Sequence, residues 1–165
     1  MGTGGLLLRK LRAQVADEPT GFVWVEGGRL AGSGYPASRA QVKWLAKSGI
    51  RSVLTLTPKP LPASWTEGLD LVIGHVAMVD HAAPSVEAMA KGVRFITDQL
   101  RQGRPVAVHC LAGEGRTGCV LAAFLISERK IGGEEAIKTL RMVKPRFVER
   151  AQEKSVYEYD RAMEL

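Results

Sequence analysis

The stretch Pro105-Val-Ala-Val-His-Cys-Leu-Ala-Gly-Glu-Gly-Arg-Thr-Gly118, with the apolar run behind it, constrains the fold of this chain more than any other segment. Val106-Ala107-Val108 is uniformly apolar, as the buried centre of a sheet is. Thr117–Arg129 is apolar on nearly every face, so the helix predicted there must be buried. A buried strand feeding a buried helix through a short glycine-bearing loop requires a sheet with helices packed on it.

The rest of the chain agrees. Phe22–Glu26 and Arg29–Ala31 read as two strands joined at Gly27-Gly28, with a turn over Gly32–Pro36. Ser38 suits an N-cap for a helix to Lys47, and Gly49 ends it. Arg51–Thr57 is a β-branched strand, Pro58–Gly68 a proline-rich loop, and Leu69–Met78 another strand. Ser85 caps a helix to Arg101, and two helices follow over Gly133–Val143 and Glu149–Met163. Strands alternate with helices and then helices accumulate. The expected fold class is α/β, one domain with a central, mainly parallel sheet flanked by helices. Residues 5–16 read as a short amphipathic helix stopped by Asp17-Glu18-Pro19. The chain therefore divides into a helical extension over 1–20 and a catalytic domain over 21–165.

The loop also carries chemistry. Cys110 and Arg116 are separated by five residues that include Gly113 and Gly115. Successive N–H groups of Leu111, Ala112, Gly113, Glu114 and Gly115 can turn inward into an anion nest, next to the positive end of the following helix. Arg116 adds a planar fork that holds two phosphate oxygens. Such a field favours thiolate, so the Cys110 pKa is expected well below its free value. This reading requires the sulfur open at the base of a bowl, with the guanidinium turned inward. A buried, inert cysteine is the competing reading, but it leaves the matched arginine and glycines unexplained.

A leaving alcohol needs a proton. Asp80 opens the loop Asp80-His-Ala-Ala-Pro84 at a strand's end, where it can close over the phosphate site; His81 is the rival acid. Asp80 read alone is equally a surface carboxylate. His109 serves as a core histidine that fixes the loop and tunes the thiolate. Thr117 either donates its hydroxyl to the sulfur or caps the helix. Cys119 reads as core, with an oxidative pairing to Cys110 as the alternative. Asp70 and His75 read as structural.

The composition excludes several classes. Two cysteines in 165 residues make no disulfide framework and suit a reducing, cytoplasmic setting. A net charge of +6 favours anionic targets, yet the basic residues are scattered without an aromatic ladder, so no stable nucleic-acid complex is expected. No apolar stretch reaches the length of a membrane span. Leu6-Leu7-Leu8 runs at once into Arg9-Lys10, too short for a signal peptide. Three scattered histidines make no metal cluster, and no cofactor is expected. The chain is expected to act as a monomer.

His109-Cys110-Leu-Ala-Gly-Glu-Gly-Arg116-Thr117-Gly118 resembles the signature of the cysteine-based protein tyrosine phosphatases, closest to the compact dual-specificity branch of VHZ-like and archaeal enzymes. Gly28–Gly32, Gly49–Thr57, Val79-Asp80 and Gln152-Glu153-Lys154 follow in the expected order, so the resemblance covers roughly residues 22–163. It implies Cys110 as nucleophile, Arg116 as phosphate-binding arginine, Asp80 as mobile-loop general acid and Thr117 as the hydroxyl residue. It also implies a metal-independent protein phosphatase acting through a phosphocysteine. Glu149 falls near the family's water-handling Gln or Glu, through a loose match that needs a one-residue gap before Gln152; a helix-terminal carboxylate is the equal alternative.

Departures from the family refine the substrate. Inositol-phosphate enzymes of this kind tend to carry lysines in the loop, whereas the variable positions here are Leu111 and Glu114. The carboxylate repels polyanionic headgroups. The expected pocket is shallow and open to phosphotyrosine, with phosphoserine and phosphothreonine as further candidates. Rival readings are an inositol-phosphate phosphatase, an RNA 5′-phosphatase, a sulfurtransferase and a non-catalytic phosphoprotein-binding module. The five-residue spacing and the acid loop oppose the sulfurtransferase, and the intact Cys110, Arg116 and Asp80 oppose the binding module.

Overall fold

The computed structural model describes residues 17–164, so the helix expected over 5–16 lies outside the described residues. Asp17–Thr20 form turns leading into the sheet. Five strands, β1 (Val23–Glu26), β2 (Leu30–Ser33), β3 (Ser52–Thr55), β4 (Val72–His75) and β5 (Val106–His109), form one sheet in the order β1-β2-β5-β3-β4. β5 is central and parallel to both neighbours, β3 and β4 are parallel, and only β1 is antiparallel. This is the mainly parallel α/β sheet expected from the sequence.

Period-two alternation assigns the faces. Leu30, Leu54, Val106 and Val108 point into the larger core cluster, whereas Ala31, Val53 and Ala107 point into the smaller one. Helix α1 (Arg39–Lys47) covers the smaller side with Val42 and Leu45. Its Ser38 Oγ accepts from Gln41 N at 3.2 Å, the cap expected there. The larger side holds α3 (Val86–Arg101), α4 (Gly115–Arg129), α5 (Gly133–Val143) and α6 (Glu153–Met163). Helix α4 packs on β2 and β5 and is enclosed by α3, α5 and α6. That is why Gly115–Ile126 are all buried and why its sequence has no polar face.

Several boundaries differ from expectation. β2 runs on through Gly32 and Ser33, because its partner β5 offers Val108 and His109 as pairs. The proline-rich stretch contains a short helix, α2 (Ala63–Thr66). β4 is shorter than Leu69–Met78, but its backbone pairing continues past its end: Val76 N donates to Thr55 O and Met78 N to Leu56 O, both at 3.0 Å. Helix α4 starts at Gly115, placing Arg116 and Thr117 inside its first turn. The last expected helix begins as a 3₁₀ turn over Arg150–Gln152.

The C-terminal ends of β3 and β5 are tied by a buried polar pair. His109 Nε2 lies 2.8 Å from Thr55 Oγ1, and His109 Nδ1 lies 3.1 Å from the Cys110 carbonyl. A carbonyl only accepts, so Nδ1 carries the proton and the Thr55 hydroxyl donates to Nε2. Burial lowers the His109 pKa from 6.5 to about 4, with Arg116 and His75 adding to the shift and the Cys110 carbonyl opposing it. The neutral ring is thus the form the fold holds. The unfolded chain takes up this proton first as pH falls, so the stability contribution is whole above 6.5 and is lost on descent toward 4. Wild type is expected to lose on the order of 3 kcal/mol more than His109→Asn over that window, read as denaturation midpoints against pH. Parallel pH curves for the two proteins would contradict the buried neutral imidazole.

Candidate functional site

Cys110 follows the last residue of β5, and the loop returns at Gly115 into α4. The carbonyls between are pulled outward by donors from elsewhere. Cys110 O is held by His109 Nδ1 (3.1 Å) and Leu111 O by Tyr35 N (2.9 Å). Gly113 O accepts from Lys144 Nζ (3.2 Å), and Glu114 O from Val148 N (3.1 Å) and Gly118 N (3.0 Å). With carbonyls held out, amides are left to face in. The Gly113 N–H does so, donating to Cys110 Sγ at 3.3 Å. Gly113 has φ +76, and a Cβ there would lie 2.5 Å from Gly34 N and Ser33 C, so only glycine lets the loop lie on the end of β2.

Arg116 is 3% exposed and its fork is turned inward, as the sequence reading requires. Nη1 donates to Met78 O at 3.1 Å and Nη2 to Asp80 Oδ1 at 2.7 Å. The continued pairing of the β4 segment to Met78 therefore delivers Asp80 to the loop. The segment after Val79 is docked at two further points: Gln152 Nε2 donates to Ala82 O at 3.1 Å, and His81 lies between Asp80 (3.6 Å) and Glu149 (3.7 Å).

The sulfur is not open to solvent as expected. Cys110 is 2% exposed, because it sits on the floor of a loop that curls over it. Thr117 is fully buried in the first turn of α4 and its Oγ1 has no hydrogen-bond partner, so it makes neither the sulfur contact nor the cap. Glu149 precedes the 3₁₀ turn, and its carboxylate lies 3.7 Å from His81. Gln152 is the residue against the loop: a Cβ on Gly115 would collide with its Oε1, which is buried and without a partner. Cys119 is core, its Sγ 3.9 Å from Gln152 O, and burial raises its pKa to about 12. Asp70 pairs with Arg104 (3.1 Å) and His75 reaches Thr57 O (2.8 Å).

Sequence reasoning missed Thr55, Lys144 and Val148. Val148 adopts φ +62, a strained conformation for a β-branched residue, while donating to Glu114 O. Arg141 holds it there through Phe147 O (3.1 Å), Val148 O (2.6 Å) and Glu153 (2.7 Å). Among the described residues no group of His, Cys, Asp and Glu gathers to hold a metal ion, and no helix is long and apolar enough to cross a membrane.

Comparison with known proteins identifies the family and the fold. The phosphatidylglycerophosphate phosphatase PTPMT1 of Arabidopsis thaliana is 31% identical over 131 residues, 76% of this chain and 38% of its own length. The tyrosine-protein phosphatase CDC14 of Saccharomyces cerevisiae is 32% identical over 143 residues, 86% of this chain and 25% of its own. The chain thus spans well under half of either relative. Among solved structures, Tk-PTP in its active form superposes with a TM-score of 0.72 at 29% identity, over 85% of this chain and 96% of its own. Human DUSP28, at 16% identity and a TM-score of 0.74 over 90% and 99% of the two chains, shares the fold. Residues 19–156 match the family model described as Swiss Army Knife protein, DSP-PTPase phosphatase domain, and the chain belongs to that family of cysteine-based phosphatase domains.

Proposed function

We propose that this chain hydrolyses phosphate monoesters on proteins through a phosphocysteine at Cys110. The observation that carries the reading is the 2.7 Å contact between Arg116 Nη2 and Asp80 Oδ1, which sets the acid loop against the nucleophile loop. On this reading the phosphate takes the place of the Asp80 carboxylate on the Arg116 fork, and the Cys110 sulfur, 2% exposed while that carboxylate is in place, must be uncovered by the exchange. The loop amides receive the other oxygens, and Sγ forms the S–P bond as the P–O bond breaks. Asp80, released from Arg116 and protonated from solvent, gives that proton to the leaving oxygen. Water then attacks phosphorus, its proton passes to Asp80, and the S–P bond breaks to return the thiolate. Gln152 Oε1, buried beside Gly115, is placed to orient that water.

Phosphotyrosine is the proposed substrate, with phosphoserine and phosphothreonine poorer. Leu111, 57% exposed, and Val79, 71% exposed, adjoin Cys110 and Asp80 in the chain and offer apolar surface to an aromatic ring. The same two side chains favour a second reading, a phospholipid monoester, which the PTPMT1 relative brings in. Against it, Glu114 within the loop carries a carboxylate that opposes a polyanionic headgroup. The two free thiols suit a reducing, cytoplasmic compartment, and we read the domain as a monomer without a nucleic-acid partner.

Turnover of phosphotyrosyl and phosphoseryl peptides, and of phosphatidylglycerophosphate in micelles, all with chelator present, tests these readings. Wild type should prefer the phosphotyrosyl peptide, and Cys110→Ser should be inactive. Asp80→Asn should lose about 10²–10⁴-fold on the peptides and markedly less on an activated aryl phosphate, whose leaving group needs no proton. Full turnover by Cys110→Ser, or dependence on added metal, would reject the mechanism. Pre-steady-state kinetics separate Gln152 from Glu149. Gln152→Leu should slow breakdown of the phosphoenzyme and enlarge the burst, while Glu149→Gln should keep both within about twofold of wild type. The reverse pattern would move the water-handling role to Glu149.

A further inference from the structure

Of the donors that hold the loop carbonyls outward, one alone is a charged side chain from outside the loop. Lys144 is the C-terminal cap residue of α5, far from Cys110 in the chain. Its Nζ donates to Gly113 O at 3.2 Å and to Gly21 O at 3.1 Å, and lies 5.3 Å from the centre of the Phe147 ring. It therefore staples the segment entering β1 to the middle of the nucleophile loop. Gly113 is the residue whose N–H points at Cys110 Sγ. The rigid peptide plane that carries Gly113 O also carries the Glu114 N–H, so holding that carbonyl outward turns the Glu114 amide inward, next to the Gly113 N–H that meets the sulfur.

The geometry points to Lys144 as a positioning residue that fixes the inward turn of the loop at Gly113 and adds a fixed positive charge behind the Cys110 thiolate. This rests on the proposed role of Cys110. Burial lowers the Lys144 pKa from its ordinary value, while the charges of Glu114 and Cys110 pull it back up. The groups facing it are thus Glu114 and Cys110, with the Phe147 ring and the Gly21 and Gly113 carbonyls completing its surroundings. Cys110 is in turn neighboured by Cys119 and Lys144, with His109 on its backbone carbonyl and Arg116, paired to Asp80, at the other end of the loop. Lys144 is the cation among them with no carboxylate salt-bridge partner among the described residues, whereas Arg116 shares its charge with Asp80.

The test is the pH dependence of alkylation of Cys110 by iodoacetate, followed by mass of the Cys110 peptide, together with kcat/KM on the phosphotyrosyl peptide. Lys144→Met should move the alkylation midpoint to higher pH by about half a unit or more and lower kcat/KM about tenfold. Lys144→Arg, which keeps charge and donors, should recover most of both. An unchanged midpoint in a folded Lys144→Met protein would overturn the inference. If Lys144→Met does not fold, Lys144→Gln keeps a donor without the charge: the same midpoint shift supports the inference and an unchanged midpoint overturns it. Alkylation needs no turnover, so the two readings fail separately. An inactive wild type with an intact midpoint shift counts against the phosphatase reading alone. An active wild type with no shift counts against Lys144 alone.

Discussion

The site depends on the outward restraint of four carbonyls in one short loop. A chain of peptide units left to itself presents donors and acceptors alternately, and an anion would meet both. Here Cys110, Leu111, Gly113 and Glu114 each have the carbonyl occupied by a donor on the outer side. Those donors come from β5 itself, from the backbone after β2, from the end of α5 and from the segment before the 3₁₀ turn. The concave side is left with N–H groups because the convex side has been satisfied. The left-handed backbone at Val148 belongs to the same arrangement, since its strain is held by the bonds of Arg141 to Phe147 and Val148.

The sheet was legible because burial leaves a plain mark on composition. Val106–Val108 could only be central, and they are; of the helix read over Thr117–Arg129, Thr117–Ile126 are enclosed, while Glu128 and Arg129 lie exposed at its end. The serines ahead of α1 and α3 marked helix starts because their hydroxyls accept from the chain locally, at Gln41 N and Ala88 N. What escaped was set by partners distant in sequence. β2 extends through Gly32 and Ser33 only because Val108 and His109 lie alongside. The short helix over Ala63–Thr66 was obscured by the prolines around it, whose presence reads as loop.

The chemical residues divide in the same way. Cys110, Arg116 and the glycines share one local motif, so their proximity follows from the spacing. Asp80 reaches Arg116 because the backbone after β4 stays paired with β3 as far as Met78, a register that no local pattern displays. Gln152 and Glu149 illustrate the limit. They lie within a few residues of one another, and the 3₁₀ turn between them sets Gln152 against Gly115 while Glu149 meets His81. The Gln152-Glu153-Lys154 match was available as a signal.

The buried Arg116–Asp80 pair joins folding to the proposed chemistry. A guanidinium at 3% exposure is costly without a counter-charge, so a loop built to receive phosphate would weigh against its own fold if nothing balanced it. Asp80 supplies the balance from a side chain that is itself 42% exposed. Its hold on Arg116 is therefore open to solvent on one side and to exchange with an incoming anion. A carboxylate brings one negative charge to this exchange, whereas a phosphate monoester brings up to two and more acceptor oxygens for the fork and the loop amides together. The same displacement frees Asp80 from the guanidinium, so the residue that balances the empty arginine is then released to take up a proton from solvent and pass it to the leaving oxygen. On the proposed reading, the counter-ion and the general acid are one residue because both tasks need a carboxylate on the far side of the phosphate from Cys110.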